Sequence, residues 1–176
     1  MRANHKAARA AFGGLLVALA FLFGYVEMLI PVSLGIPGVK LGLANLVTIT
    51  AIFLLGVPQA AAVTVIRVIL TGFTFGNMSM MMYSMSGALL SLAVMAALKK
   101  ADLFGTVGIS IAGGVSHNLG QLLCAMAVLK NPHLMYYFPV LLAAGCAAGA
   151  AIGILGAETV KRLKPLSFLD RDGGEA

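Results

Sequence analysis

Apolar residues run along this chain in long unbroken stretches, separated by short polar or Pro/Gly-containing breaks. Strands of a half-buried sheet would alternate, and helices of a soluble domain would show one apolar stripe. A helix that is apolar all round buries every face in lipid or against its neighbours. The pattern predicts six spans, at about 10–30, 39–56, 59–73, 80–98, 106–129 and 137–160, followed by a polar tail over 161–176. Crossing ~30 Å of hydrocarbon takes ~20 helical residues. The second and third spans sit at the lower limit, and short or broken spans often flank a binding site. The break between spans one and two stands out. Between Tyr25 and Asn45 it holds an acid (Glu27), two prolines (Pro31, Pro37) and an isolated cation (Lys40).

Composition sharpens this into a class. The chain is 60% hydrophobic and 10% charged, where a soluble domain carries roughly 25% charged residues. It is expected to be an all-α integral membrane protein, one six-helix domain over 1–160, with the lipid bilayer as its first partner. Its 176 residues leave no length for a second soluble domain. The first 30 residues begin basic and turn apolar, as a signal peptide does. However, the run is long and no small-residue cleavage site ends it, so a retained helix is expected. Cys124 and Cys146 lie in apolar helices, form no CxxC and imply no disulfide framework.

The net charge of +6 does not point to nucleic acid, because the cations gather at helix ends. Arg2, Lys6 and Arg9 precede span one, Lys99 and Lys100 follow span four, and Lys161, Arg162, Lys164 and Arg171 follow span six. The other side has only Lys40 and Lys130. The positive-inside rule then puts both termini in the cytoplasm of a multi-pass inner-membrane protein. The unusual polar residues fall in the outer half of the membrane.

Arg67 is the sharpest of these. An arginine at the bilayer centre costs about 2.5–3.5 kcal/mol on insertion scales, and it does not deprotonate to escape that cost. Thr64 and Thr71 share its helix face. Two readings stay open: Arg67 binds an anionic ligand, or it forms a structural ion pair with Glu27. In span five, Ser110, Gly113, Gly114, His117 and Gln121 follow a 3/4 spacing with Asn118 beside them, which offers close approach and hydrogen-bonding groups on one face. Interhelical hydrogen bonding is the plainer alternative. Asn45 and Thr48 share a face of span two, and Tyr83 lies about a turn into span four. Glu27 could equally reach interfacial water, and Lys40 could be a surface cation at a helix start. The expected substrate-binding set is Arg67, Glu27, Lys40, Asn45, Tyr83, His117, Asn118 and Gln121.

Other chemistry falls away. His117 has no second His, Cys or carboxylate at ligand spacing, so no metal site is expected. Met78, Met80, Met81, Met82 and Met85 point in different directions on a helix and read as flexible packing rather than Cu(I) ligands. The chain has no P-loop, no DDxxD-type Mg²⁺-diphosphate motif, no Ser-His-Asp constellation and no paired haem histidines. No catalytic residues and no cofactor are expected. Two ladders of small residues remain: Ala10, Gly14 and Ala18 in span one, and Gly145, Gly149, Gly153 and Ala157 in span six. They serve either internal packing or docking to another membrane subunit.

Five segments together resemble a known family: Glu27-Met-Leu-Ile-Pro31, Pro37-Gly-Val-Lys-Leu-Gly-Leu-Ala-Asn45, Arg67-Val-Ile-Leu-Thr-Gly72, Tyr83-Ser-Met-Ser-Gly-Ala-Leu-Leu-Ser91 and Ser116-His-Asn-Leu-Gly-Gln121. Over about residues 10–160 the chain resembles the bacterial Gx transporter family, also labelled heptaprenyl diphosphate synthase component I. That family is similar to the six-helix substrate-binding (S) components of energy-coupling-factor vitamin transporters. The resemblance implies capture of a small molecule from outside, and docking through Ala10, Gly14 and Ala18 to a transmembrane coupling subunit and ATPases. The leading expectation is therefore an uptake component for a small anionic molecule. The alternatives are a noncatalytic membrane subunit partnering a soluble prenyl synthase, and a membrane partner in flavin- or quinone-linked electron transfer.

Overall fold

A computed structural model describes residues 2–29 and 42–166. Six α-helices follow one another: α1 (Arg2–Leu29), α2 (Leu43–Leu54), α3 (Val57–Phe75), α4 (Met78–Ala101), α5 (Thr106–Leu129) and α6 (Phe138–Leu163), with a 3₁₀ turn, Pro132–Tyr137, leading into α6. The helix starts follow local rules. Pro58 stands in the first turn of α3, where its missing N–H costs nothing. Asn77 caps α4 by accepting a hydrogen bond from the Met80 N–H at 2.8 Å. The helix α2 begins at Gly42, whose φ of 78° is a left-handed conformation open to glycine.

Five helices, α1 and α3 to α6, are long and apolar enough to cross a membrane, and α2 is shorter. At 12 residues it is only about 18 Å long. It starts at Leu43 rather than near residue 39, because the chain is still in the left-handed conformation at Gly42. The expected outer loop, with Pro31, Pro37 and Lys40, lies outside the described residues.

The packing is a ring in the order α1, α3, α4, α5, α6, α2, with α2 also resting on α3 and touching α5. The short helix is thus drawn inward, and most of its residues are buried. Its C-terminal end is held by two cations. Arg9 donates to the Leu55 carbonyl at 3.0 Å. Lys99 donates to the Ile52 carbonyl and lies over the Phe53 ring, 4.7 Å from its centroid. Cations here satisfy the carbonyls that a helix end leaves open. At the other end, the Leu43 N–H donates to Glu27 Oε1 at 2.6 Å. The helix α2 therefore runs antiparallel to α1, from Glu27 to Arg9.

These contacts divide the bundle into two halves. The half bearing Arg9 and Lys99 is filled by an apolar core of Ile49, Ile52, Leu55, Leu92, Met95 and Ile109. The opposite half, around Glu27, is polar. Large apolar side chains cover the outside, among them Leu15, Leu22, Phe73 and Ile154, each more than half exposed. That is the surface of a multi-pass membrane protein.

The two small-residue ladders go to different uses. Gly145, Gly149 and Gly153 of α6 lie against the α5 backbone. A Cβ on Gly149 would stand 2.7 Å from Ile111 Cα, and one on Gly153 would stand 2.8 Å from Val107 Cα. Ala10, Gly14 and Ala18 of α1 are exposed, and nothing lies within 4 Å of a Cβ built on Gly14. The methionines do not converge. Met78, Met80 and Met82 are exposed, while Met81 packs on Gly72. Cys124 and Cys146 are free thiols.

Candidate functional site

The polar half encloses a chamber of about 150 Å³. Its walls come from all six helices. The helix α1 contributes Gly24 and Glu27, α2 contributes Ala44 and Asn45 behind Gly42, and α3 contributes Arg67 and Thr71. Ser84 faces it from α4, Ser110, His117, Asn118 and Gln121 from α5, and Gly145 and Gly149 from α6.

Each wall follows from local sequence. Gly24 faces Thr71 across the α1–α3 seam, where a Cβ would make ordinary contact at 3.4 Å from Thr71 Oγ1. Glu27, one turn further on, then reaches the N-terminus of α2. Gly87 and Gly120 bring α4 onto α5: a Cβ on Gly87 would lie 2.7 Å from both Gln121 Cγ and the His117 carbonyl oxygen. Phe75 closes the α1–α3 side, with its ring centroid 5.0 Å from Phe21 and 4.9 Å from Tyr25.

Arg67 dominates the electrostatics. Its residue is half-buried, but Nε and Nη2 are inaccessible and make no hydrogen bond among the described residues, and neither does Thr71 Oγ1. Unpaired buried polar groups cost about 1–3 kcal/mol each, more when charged. Glu27 is the acid whose charge acts on Arg67, and its carboxylate is also bonded to the α2 N-terminus. The chamber thus offers a guanidinium fork, a hydroxyl and the positive end of a short helix, balanced by one carboxylate. An oxyanion bound against Arg67 would satisfy two donors that the fold leaves open.

Of the expected binding residues, Arg67, Glu27, Asn45, His117, Asn118 and Gln121 come together here. Asn118 also ties α5 to α6, donating through Nδ2 to the Leu141 carbonyl at 2.8 Å. Tyr83 does not line the chamber but an adjoining cavity, and Lys40 lies outside the described residues. The Thr64–Arg67–Thr71 stripe divides. Thr64 is buried against Thr48, their hydroxyls 3.2 Å apart, and only Arg67 and Thr71 face the chamber. Pattern reading missed Ser84 and the chamber-lining glycines Gly24 and Gly42. The glycines carry no polar signal, and their role is visible only once the helices are packed. Among the described residues no three His, Cys, Asp or Glu side chains cluster as metal ligands would.

The sequence matches the family described as heptaprenyl diphosphate synthase component I across residues 16–159. The chain belongs to this family. The matched region includes every residue that lines the chamber, from Gly24 to Ile152. No curated protein and no solved structure matches the chain.

Proposed function

We propose that the chain is an accessory membrane subunit of heptaprenyl diphosphate synthesis. It binds an anionic, isoprenoid-related molecule in the Arg67 chamber while a separate soluble subunit makes and breaks the bonds. Family membership over residues 16–159 carries this reading. The acids are scattered and form no DDxxD motif, which suits a noncatalytic partner. Arg67 with Thr71 would hold the anionic group, and Asn45, His117 and Gln121 would orient it. In this reading both termini lie in the cytoplasm, and the positive-inside rule supports a cytoplasmic place for Arg9 and Lys99, with α2 packed as a short helix between the longer spans.

A second reading is an uptake component powered by a partner ATPase. One observation favours it: the chamber lies in the half of the bundle away from Arg9 and Lys99, where a ligand would arrive from outside. In that reading the exposed Ala10, Gly14 and Ala18 face is the docking surface for a coupling subunit.

Affinity purification of the full chain from native membranes separates the two. Recovery of a soluble prenyl synthase subunit, and stimulation of its heptaprenyl output by the added chain, is the expected result. Recovery of a transmembrane subunit with ATPases, and no effect on prenyl synthesis, would replace the first reading with the second.

A further inference from the structure

Beside the polar chamber lies a second and larger cavity, about 460 Å³ against about 150 Å³. Its lining is almost wholly apolar: Tyr83 of α4, Leu122, Ala125 and Leu129 of α5, Leu134 and Tyr137 of the 3₁₀ turn, and Leu141 of α6. The two cavities meet along a shared wall, because Met80, Ser84, Asn118 and Gln121 line both. At its rim Met80, Leu129 and Tyr137 are exposed, at the start of α4, the end of α5 and the turn before α6, so the groove opens at the chamber end of the bundle.

We infer that the two cavities form one bipartite site for a single-chain amphiphile of the prenyl phosphate type. The phosphate or diphosphate head lies against Arg67 and Thr71, and the apolar chain runs past Ser84 and Gln121 into the groove. The inference rests on the chamber being a ligand site, as proposed above, but not on which partner the chain serves. Three observations support it. Arg67 presents two buried N–H donors that no described residue accepts, and a guanidinium fork suits phosphate oxygens. The N-terminus of α2 adds positive potential on the same side, although Glu27 already accepts its Leu43 N–H. The join is lined by side chains that are polar on the chamber side, and the groove beyond them is apolar, as head and tail require. The groove has room for one chain, which favours a single-chain amphiphile over a two-chain glycerophospholipid. A tail held in the groove is kept from water, where its exposure would cost about 0.8 kcal/mol per CH₂.

The test uses the full chain in nanodiscs of neutral lipid, with radiolabelled farnesyl diphosphate as the probe. Unlabelled farnesyl diphosphate, inorganic diphosphate, farnesol and phosphatidylglycerol serve as competitors. The probe is expected to bind, and the three other competitors are each expected to compete at least tenfold more weakly than the unlabelled probe. Ala125→Phe, which fills the groove, and Leu129→Asn, which makes its rim polar, should each weaken farnesyl diphosphate at least tenfold. Both should leave the weaker binding of inorganic diphosphate unchanged. Equal competition by inorganic diphosphate, with normal binding in both groove variants, would overturn the tail site and leave the chamber standing. Equal competition by phosphatidylglycerol would make it a general anionic-lipid site and overturn the inference. Normal binding in Arg67→Gln would remove the chamber itself. Failure of the probe to bind the native chain would sink the inference outright.

Discussion

Replacing Arg67 with methionine separates a ligand-binding arginine from one that only pairs with Glu27. Methionine keeps the unbranched apolar stem of the side chain and removes its charge and donors. Truncating one member of a buried charged contact costs about 2–5 kcal/mol, and about 1.4 kcal/mol is a factor of ten. Affinity for an anionic ligand such as farnesyl diphosphate should therefore fall from about thirty-fold to a few thousand-fold. The variant also leaves Glu27, whose Oε1 accepts from the Leu43 N–H, without the Arg67 counter-charge. Breaking a buried pair from one side costs about 3–5 kcal/mol, so R67M should melt at a lower temperature in detergent. Adding Glu27→Gln removes the stranded charge and keeps an oxygen for the Leu43 N–H. The double variant should regain most of the lost melting temperature but none of the lost binding. Radioligand binding and thermal melting, run on the native chain, R67M and the double variant, read both quantities. If R67M binds as the native chain does, or if the double variant recovers binding along with stability, the arginine is structural and the site assignment fails.

Gly149→Leu should destabilise the bundle by about 1–3 kcal/mol, because its Cβ would already stand 2.7 Å from Ile111 Cα. A melt unchanged from the native chain would show that α5 and α6 are not so closely packed. Gly14→Leu should leave the melt unchanged, since its surroundings are open. If the uptake reading holds, the same substitution should strip a coupling subunit from the purified complex. Asn118→Leu removes the hydrogen bond to the Leu141 carbonyl, a loss of about 0.6 kcal/mol for a typical interhelical bond in a membrane. A shift several times larger would mean that Asn118 organises the chamber wall as well as joining two helices.

Much of this protein is decided locally. Long apolar runs with few charges leave the backbone no option but helix in lipid, because every N–H and C=O must be paired within its own segment. Helix number and order and the membrane class follow from that constraint, and so does the gathering of Glu27, Asn45, His117 and Gln121 toward one end. Pairing was not legible in the same way. Whether a glycine ladder faces a neighbour or open surface depends on the rotation of its helix, which composition does not encode. Hence Gly145, Gly149 and Gly153 turned out to be spacers against α5, while Gly14 faces outward. The shortness of α2 is likewise a tertiary outcome. It ends where Arg9 and Lys99 cap its carbonyls and starts where Glu27 meets its N-terminus, at opposite ends of a helix too short to span the bilayer. Tyr83 shows the limit most plainly. Its place about a turn into span four put it among the polar site residues, but its position on α4 turns it into the apolar groove. Local chemistry determined which residues lipid would not tolerate alone. Only packing decided which of them share a chamber, because that depends on how closely six helix backbones can approach.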